Sequence, residues 1–310
     1  MAPPTLPLST RESSRLSQII GRIAAYIALM KPRVIELLLV TTAPVMVLAT
    51  QGIPDIWLVL GTLAGGALSA GSANAFNMYI DRDIDTLMAR TKGRPIVTGE
   101  ITPRSALVFA FAIGCASLVV LTLVANVLAA ALALTAILFY VFVYTLLLKR
   151  RTEQNIVWGG LAGCFPVLIG WAAVTGEISL TPWVLFIVVF LWTPAHYWPL
   201  SLRYADDYAA ASVPMLSVVR SKVAVGLQVI LYSWATVIAS LILIPVAPMG
   251  IIYTVVAVLA GGWFIVETHL LYSRSLAGRE ANAMRVFHAS NTYLTALFVA
   301  VAIDPLVALR

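Results

Sequence analysis

Charged residues are scarce in this chain. Asp, Glu, Lys and Arg make up 11% of its 310 residues, whereas about 25% is typical of a soluble domain. Hydrophobic residues make up 61%, and the mean hydropathy is +0.94. So few charges cannot cover a water-exposed surface, which excludes a soluble globular protein. Lipid is therefore the predicted solvent for most of the chain.

Cysteine and histidine are also rare, with two and three copies respectively. Cys115 and Cys164 lie in apolar stretches, where small packing residues are expected, and neither has a spacing typical of zinc or a disulfide framework. The sequence also lacks a glycine-rich phosphate motif, a nucleotide fingerprint and a nucleophile–base arrangement. The remaining candidates for chemistry are carboxylates and cations.

The first twenty residues lack the apolar core of a secretory signal and instead contain several prolines and serines. We interpret residues 1–20 as a flexible cytoplasmic tail and residues 21–310 as a single transmembrane domain.

Long apolar runs fill the rest of the chain, and each approaches the roughly 20 residues that a helix needs to cross a bilayer. In lipid the backbone must satisfy its own hydrogen bonds, so helices are predicted throughout. The fold class is therefore an all-α polytopic membrane protein with nine transmembrane helices. The predicted spans are 23–50, 57–80, 104–124, 127–148, 156–174, 182–202, 223–246, 249–272 and 286–304.

The basic residues support this count. With nine spans, alternate loops receive all of the 20 Lys and Arg residues except Arg310. By the positive-inside rule, the N-terminus and these loops face the cytoplasm. The net charge of +6 is thus a topology signal that does not call for nucleic acid. The predicted location is a bacterial inner membrane with a cytoplasmic active face.

Polar residues recur on successive turns at the end of the second predicted helix. Asn77, Asp81 and Asp85 are spaced i, i+4 and i+8, so a continuous helix would place them on one stripe, with Asp83 elsewhere. Carboxylates at a helix C-terminus, and like charges four residues apart, are unfavourable without a cation. We predict that the three residues bind Mg²⁺, which prefers few carboxylates together with water and substrate phosphate.

Cations follow this stripe directly. A positive-inside loop would also be basic, but its position beside the acids favours diphosphate binding, in which the metal takes some oxygens and Arg or Lys takes others. The cations predicted for that role are Arg90, Lys92, Arg94, Lys31 and Arg33. We interpret Lys149, Arg150 and Arg151 as topology charges.

A second acidic pair, Asp206 and Asp207, follows the sixth predicted helix, 125 residues after Asp81. This spacing suggests two four-helix pseudo-repeats plus a ninth helix, with the pair as a second metal-binding group or as a solvated loop. Within or beside apolar spans lie His196, Trp198 and His288. Ionisable residues in spans are candidates for function, and satisfaction of backbone carbonyls or interfacial anchoring are the alternatives.

The Asn-x3-Asp-x3-Asp run resembles the first motif of the intramembrane aromatic (UbiA-like) prenyltransferases. The resemblance spans about residues 20–305 and is most specific to the branch of that family that farnesylates heme. It is carried by residues 79–85, 90–95, 154–155, 192–198, 206–208, 214–216 and 287–288.

The resemblance implies nine helices with an internal pseudo-repeat. It further implies farnesyl diphosphate bound through Mg²⁺ on Asn77, Asp81 and Asp85, with Asp206 or Asp207 at a second site. A vinyl group of heme B would attack the allylic carbon, and water would capture the resulting cation. His196, His288 and Trp198 become candidates for heme contact. The second motif of the family often has acids four residues apart, whereas here they are adjacent.

Other functions remain open from the sequence. The acceptor could be a quinone precursor or another tetrapyrrole such as chlorophyllide. A transporter would place polar groups at the midplane on broken helices, and a heme chaperone gives no reason for aligned acids. Expected partners are farnesyl diphosphate, heme B and the lipid bilayer, together with the next heme-modifying enzyme or a terminal oxidase assembly factor.

Overall fold

The computed structural model describes the backbone of residues 8–247 and 249–308, and the side chains of residues 17–32, 35, 40–247 and 249–307. Within these ranges every regular element is helical, which confirms the all-α part of the predicted fold class. The helices are α1 (Leu8–Met30), α2 (Pro32–Thr50), α3 (Ile56–Ile80), α4 (Arg82–Asp85), α5 (Pro103–Val124), α6 (Val127–Leu138), α7 (Asn155–Gly159), α8 (Phe165–Thr175), α9 (Leu180–Arg203), α10 (Ala205–Ala210), α11 (Leu216–Val219), α12 (Lys222–Val246), α13 (Ile251–Leu276) and α14 (Ala283–Ala308).

Two irregular helices continue the regular ones. A π-helix, Phe139–Leu148, extends α6, and a 3₁₀ segment, Gly160–Cys164, joins α7 to α8. With these extensions, the described chain contains 8 helices that are long and apolar enough to cross a membrane. They are Ile56–Ile80, Pro103–Val124, Val127–Leu148, Asn155–Thr175, Leu180–Arg203, Lys222–Val246, Ile251–Leu276 and Ala283–Val307.

The first predicted span, 23–50, is broken in the structure. Lys31 has a left-handed backbone with φ of 55°, and Pro32 begins α2. Proline lacks a backbone N–H and clashes with the preceding turn, so α1 cannot continue through it. A ninth span and the orientation of the N-terminus therefore stay predictions. Part of the segment predicted as a flexible tail is helical, because α1 begins at Leu8.

Small residues allow α3 and α5 to approach closely, as is common between membrane helices. A Cβ atom added to Gly65 would lie 2.6 Å from the side chain of Leu121. The Ser117 hydroxyl donates to the carbonyl of Gly65 at 2.7 Å, and the Ser72 hydroxyl donates to that of Ala110 at 2.8 Å. This packing fixes the position of α3, which leads into the predicted site.

The connections that follow α3, the π-helix and α9 meet at one end of the bundle. We call residues 81–102, 149–154 and 203–221 the polar end. Arg150 binds Asp83 between the first two connections, and Arg220 binds Glu153 between the second and third. The backbone N–H of Ala89 donates to Asp207 between the first and third. The longest polar loops of the sequence thus form one connected surface.

Candidate active site

The acidic stripe lies at the polar end but on a broken helix. We predicted that one helix continues through Asp85, whereas α3 ends at Ile80, and Asp81 has a non-helical ψ of 5°. The break puts Asp83 and Asp85 in the first turn of α4, where acids are more favourable than at a helix C-terminus. Bonds from the N–H of Asp81 to Asn77 O and from that of Asp85 to Asp81 O, both 2.9 Å, preserve the helical spacing.

Asn77, Asp81 and Asp85 are all buried, with 2%, 0% and 1% exposure, and each is paired. Asn77 Nδ2 donates to Asp81 Oδ2 at 2.7 Å. Lys31 Nζ donates to Asn77 Oδ1 at 2.8 Å, which the break between α1 and α2 makes possible. A buried carboxylate is costly without a partner, so the cations described next are essential to this arrangement.

Cations surround the two buried carboxylates. Lys149 Nζ is hydrogen-bonded to Asp81 Oδ2, and Arg150 lies 3.3 Å from Asp81 Oδ1. Arg94 lies 2.5 Å from Asp85 Oδ2. Together with Lys31, these cations outnumber the buried acids that they face, so the cluster can accept a further anion. We call Asn77, Asp81, Asp85, Lys31, Arg94, Lys149 and Arg150 the head-group cluster.

One oxygen of the head-group cluster receives no hydrogen bond from the described part of the chain. Asp85 Oδ1 is buried, and no hydrogen bond reaches it from any described residue. A buried, unsatisfied carboxylate oxygen costs about 1–3 kcal/mol or more. Such an atom is a suitable ligand for a cation that enters with a substrate.

Asp83, predicted to point away from the stripe, is exposed and paired with Arg150. The two Asp83 oxygens each lie 2.7 Å from a guanidinium nitrogen. The hydrogen bond from Arg150 lowers the pKa of Asp83 from 3.8 to about 2, and it raises that of Arg150. Asp83 therefore stays ionised at physiological pH and holds Arg150 close to Asp81.

The second acidic pair lies against the loop after α4. The Asp207 carboxylate accepts the backbone N–H groups of Ala89 at 3.1 Å and Arg90 at 3.2 Å, whereas Asp206 is exposed. The Arg90 guanidinium donates to the Tyr208 hydroxyl at 3.1 Å and stacks over the Tyr204 ring. Asp207 thus fastens a loop. Among the described residues, no three or more His, Cys, Asp or Glu side chains form a group that could hold a metal ion.

Two further residues were predicted to bind the diphosphate, Lys92 and Arg33. Lys92 is exposed on the loop between Arg90 and Arg94. The side chain of Arg33 lies outside the described residues.

Of the residues predicted to contact heme, His196 and His288 both have ring contacts with Phe287, whereas Trp198 lies elsewhere. His196 stacks between Trp192 and Phe287, with ring centroids 4.1 and 4.6 Å away, and its Nδ1 lies 2.8 Å from the Ser290 hydroxyl. Trp198 is buried against Tyr232 instead. His288 is exposed.

An apolar cavity of about 120 Å³ begins one turn before the cluster, at Asn74. It lies between α2, α3, α6 with its π-helix, the 3₁₀ segment and α8. Tyr140 and Phe165 are the only aromatic residues in the described lining, which is otherwise formed mostly by small or aliphatic residues. Two polar side chains of the lining are bonded away from it: Asn74 Nδ2 donates to Met30 O at 2.9 Å, and Ser69 donates to Ala133 O at 3.3 Å. Thr62 Oγ1 is buried with no hydrogen-bond partner among the described residues, and one hydroxyl is too few polar partners to hold a water molecule. Such a cavity is expected to stay dry.

Comparisons with known proteins identify the family of this chain. The model of the UbiA prenyltransferase family matches residues 38–291, most of the chain. The chain belongs to the UbiA prenyltransferase family. A relative from Clavibacter sepedonicus, named protoheme IX farnesyltransferase, is 68% identical over 282 residues, which cover 91% of this chain and 92% of the relative.

Two solved structures show that the UbiA fold extends over nearly the whole chain. A digeranylgeranylglyceryl phosphate synthase has a TM-score of 0.74 and 18% identity, and the match covers 92% of this chain and 99% of that one. A UbiA homologue from Archaeoglobus fulgidus, bound to GPP and Mg²⁺, has a TM-score of 0.67 and 20% identity, with 90% and 99% covered.

In this UbiA prenyltransferase, sequence reasoning missed two cations. Lys149 and Arg150 contact Asp81, although we interpreted them as topology charges. Their position could have identified them. They follow the fourth predicted helix at its predicted cytoplasmic end, which is also where the acids were predicted to lie. The π-helix was not predicted either. It directs Thr145 to Asn77 Nδ2 at 3.3 Å, and the N–H of Lys149 donates to Tyr144 O at 2.8 Å.

Proposed function

We propose that this chain transfers a farnesyl group from farnesyl diphosphate to a vinyl group of heme B, giving heme O and diphosphate. The observation that carries this proposal is the adjacency of two contrasting sites. A buried cluster of carboxylates and cations lies at the end of α3, and a dry apolar cavity begins one turn away, at Asn74. A prenyl diphosphate needs both, and the name of the Clavibacter relative supports farnesyl as donor and heme as acceptor.

The cations of the cluster are suited to the diphosphate. Arg94 and Lys149 neutralise Asp85 and Asp81, and Lys31 donates a hydrogen bond to Asn77 Oδ1. All three cations can turn to phosphate oxygens when substrate enters. Breaking the allylic C–O bond leaves its electron pair on the departing diphosphate. Lysine and arginine groups held in a low-dielectric site stabilise that charge as it develops. Arg90, Lys92 and Arg33 lie on the adjoining segments and extend the positive potential that attracts the substrate.

Mg²⁺ fits the acids of the same cluster. Asp85 Oδ1 is a buried oxygen without a hydrogen-bond donor among the described residues. Asp81 and Asn77 offer further oxygens one and two turns before it. Asn77, Asp81 and Asp85 would hold Mg²⁺, which would supply positive charge to neutralise the diphosphate leaving group. The A. fulgidus structure, solved with GPP and Mg²⁺, supports this assignment.

The cavity protects the allylic cation from water. Its lining is mostly aliphatic, and Tyr140 presents an aromatic ring near Asn74. A vinyl carbon of heme attacks the allylic carbon, and water then adds to the cation left beside the porphyrin and loses a proton. His196, stacked between Trp192 and Phe287, is the candidate for contact with the heme. Because the polar end carries the basic loops, we place this face in the cytoplasm.

Mass analysis of extracted heme tests the reaction. Membranes with and without this chain are supplied with heme B, farnesyl diphosphate and Mg²⁺. We expect heme O only when the chain is present, and its loss when a chelator removes the metal. A prenylated quinone precursor with unchanged heme B would overturn the acceptor, and heme O formed equally well in chelator would overturn the metal assignment.

A further inference from the structure

Two glycines line the apolar cavity at positions where no close contact requires a residue without a side chain. Most glycines in this bundle are required by close contact. A Cβ added to Gly61, for example, would lie 2.3 Å from Val124, and one added to Gly159 would lie 2.1 Å from Tyr144. At Gly66 and Gly163, by contrast, an added Cβ would meet no described heavy atom within 4 Å.

Backbone conformation does not require glycine at these positions either. Gly66 lies inside α3, and Gly163 lies in the 3₁₀ segment that forms a different wall of the cavity. The glycines with positive φ among the described residues are Gly99, Gly176 and Gly278. Glycine inside a helix costs about 0.5–1 kcal/mol relative to alanine. Both glycines line the cavity, Gly66 half-buried and Gly163 exposed, so a side chain added at either position would find open space.

The position of Gly66 is informative because α3 carries both the head-group cluster and one cavity wall. Thr62, Gly66, Ser69 and Ala73 recur on the face of α3 that lines the cavity. Gly66 precedes Asn77 by eleven residues, which at 1.5 Å per residue places it about 16 Å away along the helix. A chain anchored at the cluster by its diphosphate would therefore reach Gly66 with its later isoprene units.

We propose that Gly66 and Gly163 set the length of prenyl chain that the cavity accepts. This inference rests on the proposed prenyl transfer and adds the residues that select the donor. A side chain at either position would occupy the space of a terminal isoprene unit and leave the head-group cluster intact. The variants Gly66→Leu and Gly163→Leu would then discriminate against farnesyl diphosphate in favour of geranyl diphosphate, which is one isoprene unit shorter.

Competition between the two donors tests this inference. Purified full-length protein receives heme B, Mg²⁺ and equal concentrations of farnesyl and geranyl diphosphate, and mass analysis gives the ratio of the two prenylated hemes. One missing or extra methylene changes selectivity by about tenfold or more in a hydrophobic pocket. We expect Gly66→Leu and Gly163→Leu each to shift the product ratio toward geranyl by at least about tenfold.

A matched control is available in α13. Gly262 also has no described heavy atom within 4 Å of an added Cβ, but it is exposed on the outside of the bundle and is absent from the described cavity lining. We expect Gly262→Leu to keep the wild-type ratio. An equal shift in Gly262→Leu, or an unchanged ratio in both cavity variants, would overturn the inference.

Failure of the proposed function would look different, since wild-type protein would then make no farnesylated heme. Should Gly66→Leu be inactive with both donors, Gly66→Ala is measured in the same way. An unchanged ratio in that smaller variant would overturn the inference, and a smaller shift toward geranyl would support it.

Discussion

At the residue scale, Asp81 and Asp85 differ in how many of their carboxylate oxygens receive hydrogen bonds. Asp81 is hydrogen-bonded through both oxygens, to Asn77, Lys149 and Arg150. Asp85 has Arg94 on one oxygen, and no described donor reaches the other. Buried polar atoms are rarely left unpaired in native proteins. An incoming cation would therefore gain more at Asp85 than at Asp81, because it would supply the partner that Asp85 Oδ1 lacks among the described residues.

Asp207, predicted with Asp206 as a second metal-binding group or a solvated loop, contacts the loop after α4 in the structure. Both of its oxygens accept backbone N–H groups of the loop that leads to Arg94. Asp207→Asn removes one acceptor, so we expect the loop to loosen and KM for farnesyl diphosphate to rise by about tenfold, the equivalent of roughly 1.4 kcal/mol. Steady-state kinetics with heme B at saturation would measure the change.

Asp206→Asn is the matched control, since Asp206 is adjacent and exposed. For this surface substitution we expect KM for farnesyl diphosphate to change by the equivalent of about 0.5 kcal/mol or less. A larger loss of activity in Asp206→Asn than in Asp207→Asn would instead make Asp206 a ligand of the second acidic group.

At the scale of elements, the π-helix connects helix packing to the site. It carries Thr145 to Asn77, and Lys149, which follows it directly, to Asp81. The Tyr144 ring packs on Gly159 of α7, where an added Cβ would lie 2.1 Å from it. Irregular helical turns of this kind occur frequently at functional sites.

Gly159→Ala tests this connection. The new methyl group must displace Tyr144, and overpacking of this kind costs about 1–3 kcal/mol. We expect lower thermal stability in detergent together with lower heme O formation. Gly262→Ala, where space is open, should leave both unchanged. A Gly159→Ala protein with wild-type stability and activity would show that the contact is unimportant.

The elements also show what could be predicted from the sequence. Apolar runs of about 20 residues predicted helices well, because lipid leaves the backbone few alternatives. The break at Lys31 and the end of α3 at Ile80 were missed, since both lie in stretches that satisfy a helical pattern. The acids were recognisable because they are unfavourable in an apolar context, whereas Lys149 and Arg150 resembled ordinary loop charges. Pairings such as Asp207 with the Arg90 loop depend on tertiary contacts between residues more than a hundred positions apart.

At the scale of the whole molecule, the proposed function requires the polar end to face the cytoplasm. Glu100 at the polar end and Glu177 between α8 and α9 are both exposed, at opposite ends of the bundle. We expect Glu177→Cys to react with a membrane-impermeant maleimide in intact cells and Glu100→Cys to react only after permeabilisation. Cys115 and Cys164 would be replaced by Ser in both variants. The reverse labelling pattern would place the head-group cluster outside.

The position of the head-group cluster also distinguishes the proposed enzyme from a transporter. Polar sites of transporters lie near the midplane on discontinuous helices. Here the head-group cluster lies where α3 and the π-helix end, and the cavity extends from it along α3. This arrangement suits a substrate whose charged head stays at the membrane surface while its tail enters the bilayer interior.

Comparison of Asp85→Asn with Asp83→Asn tests the central claim most directly. The two residues are neighbours in α4, but Asp85 is buried in the head-group cluster and Asp83 is exposed. Heme O formed from heme B, farnesyl diphosphate and Mg²⁺ is measured for both purified variants. We expect Asp85→Asn to lose about a hundredfold or more in rate, as when a group that stabilises transition-state charge is removed, and Asp83→Asn to keep most of the activity. Equal rates in the two variants, or a greater loss in Asp83→Asn, would contradict diphosphate and metal binding at the buried acids.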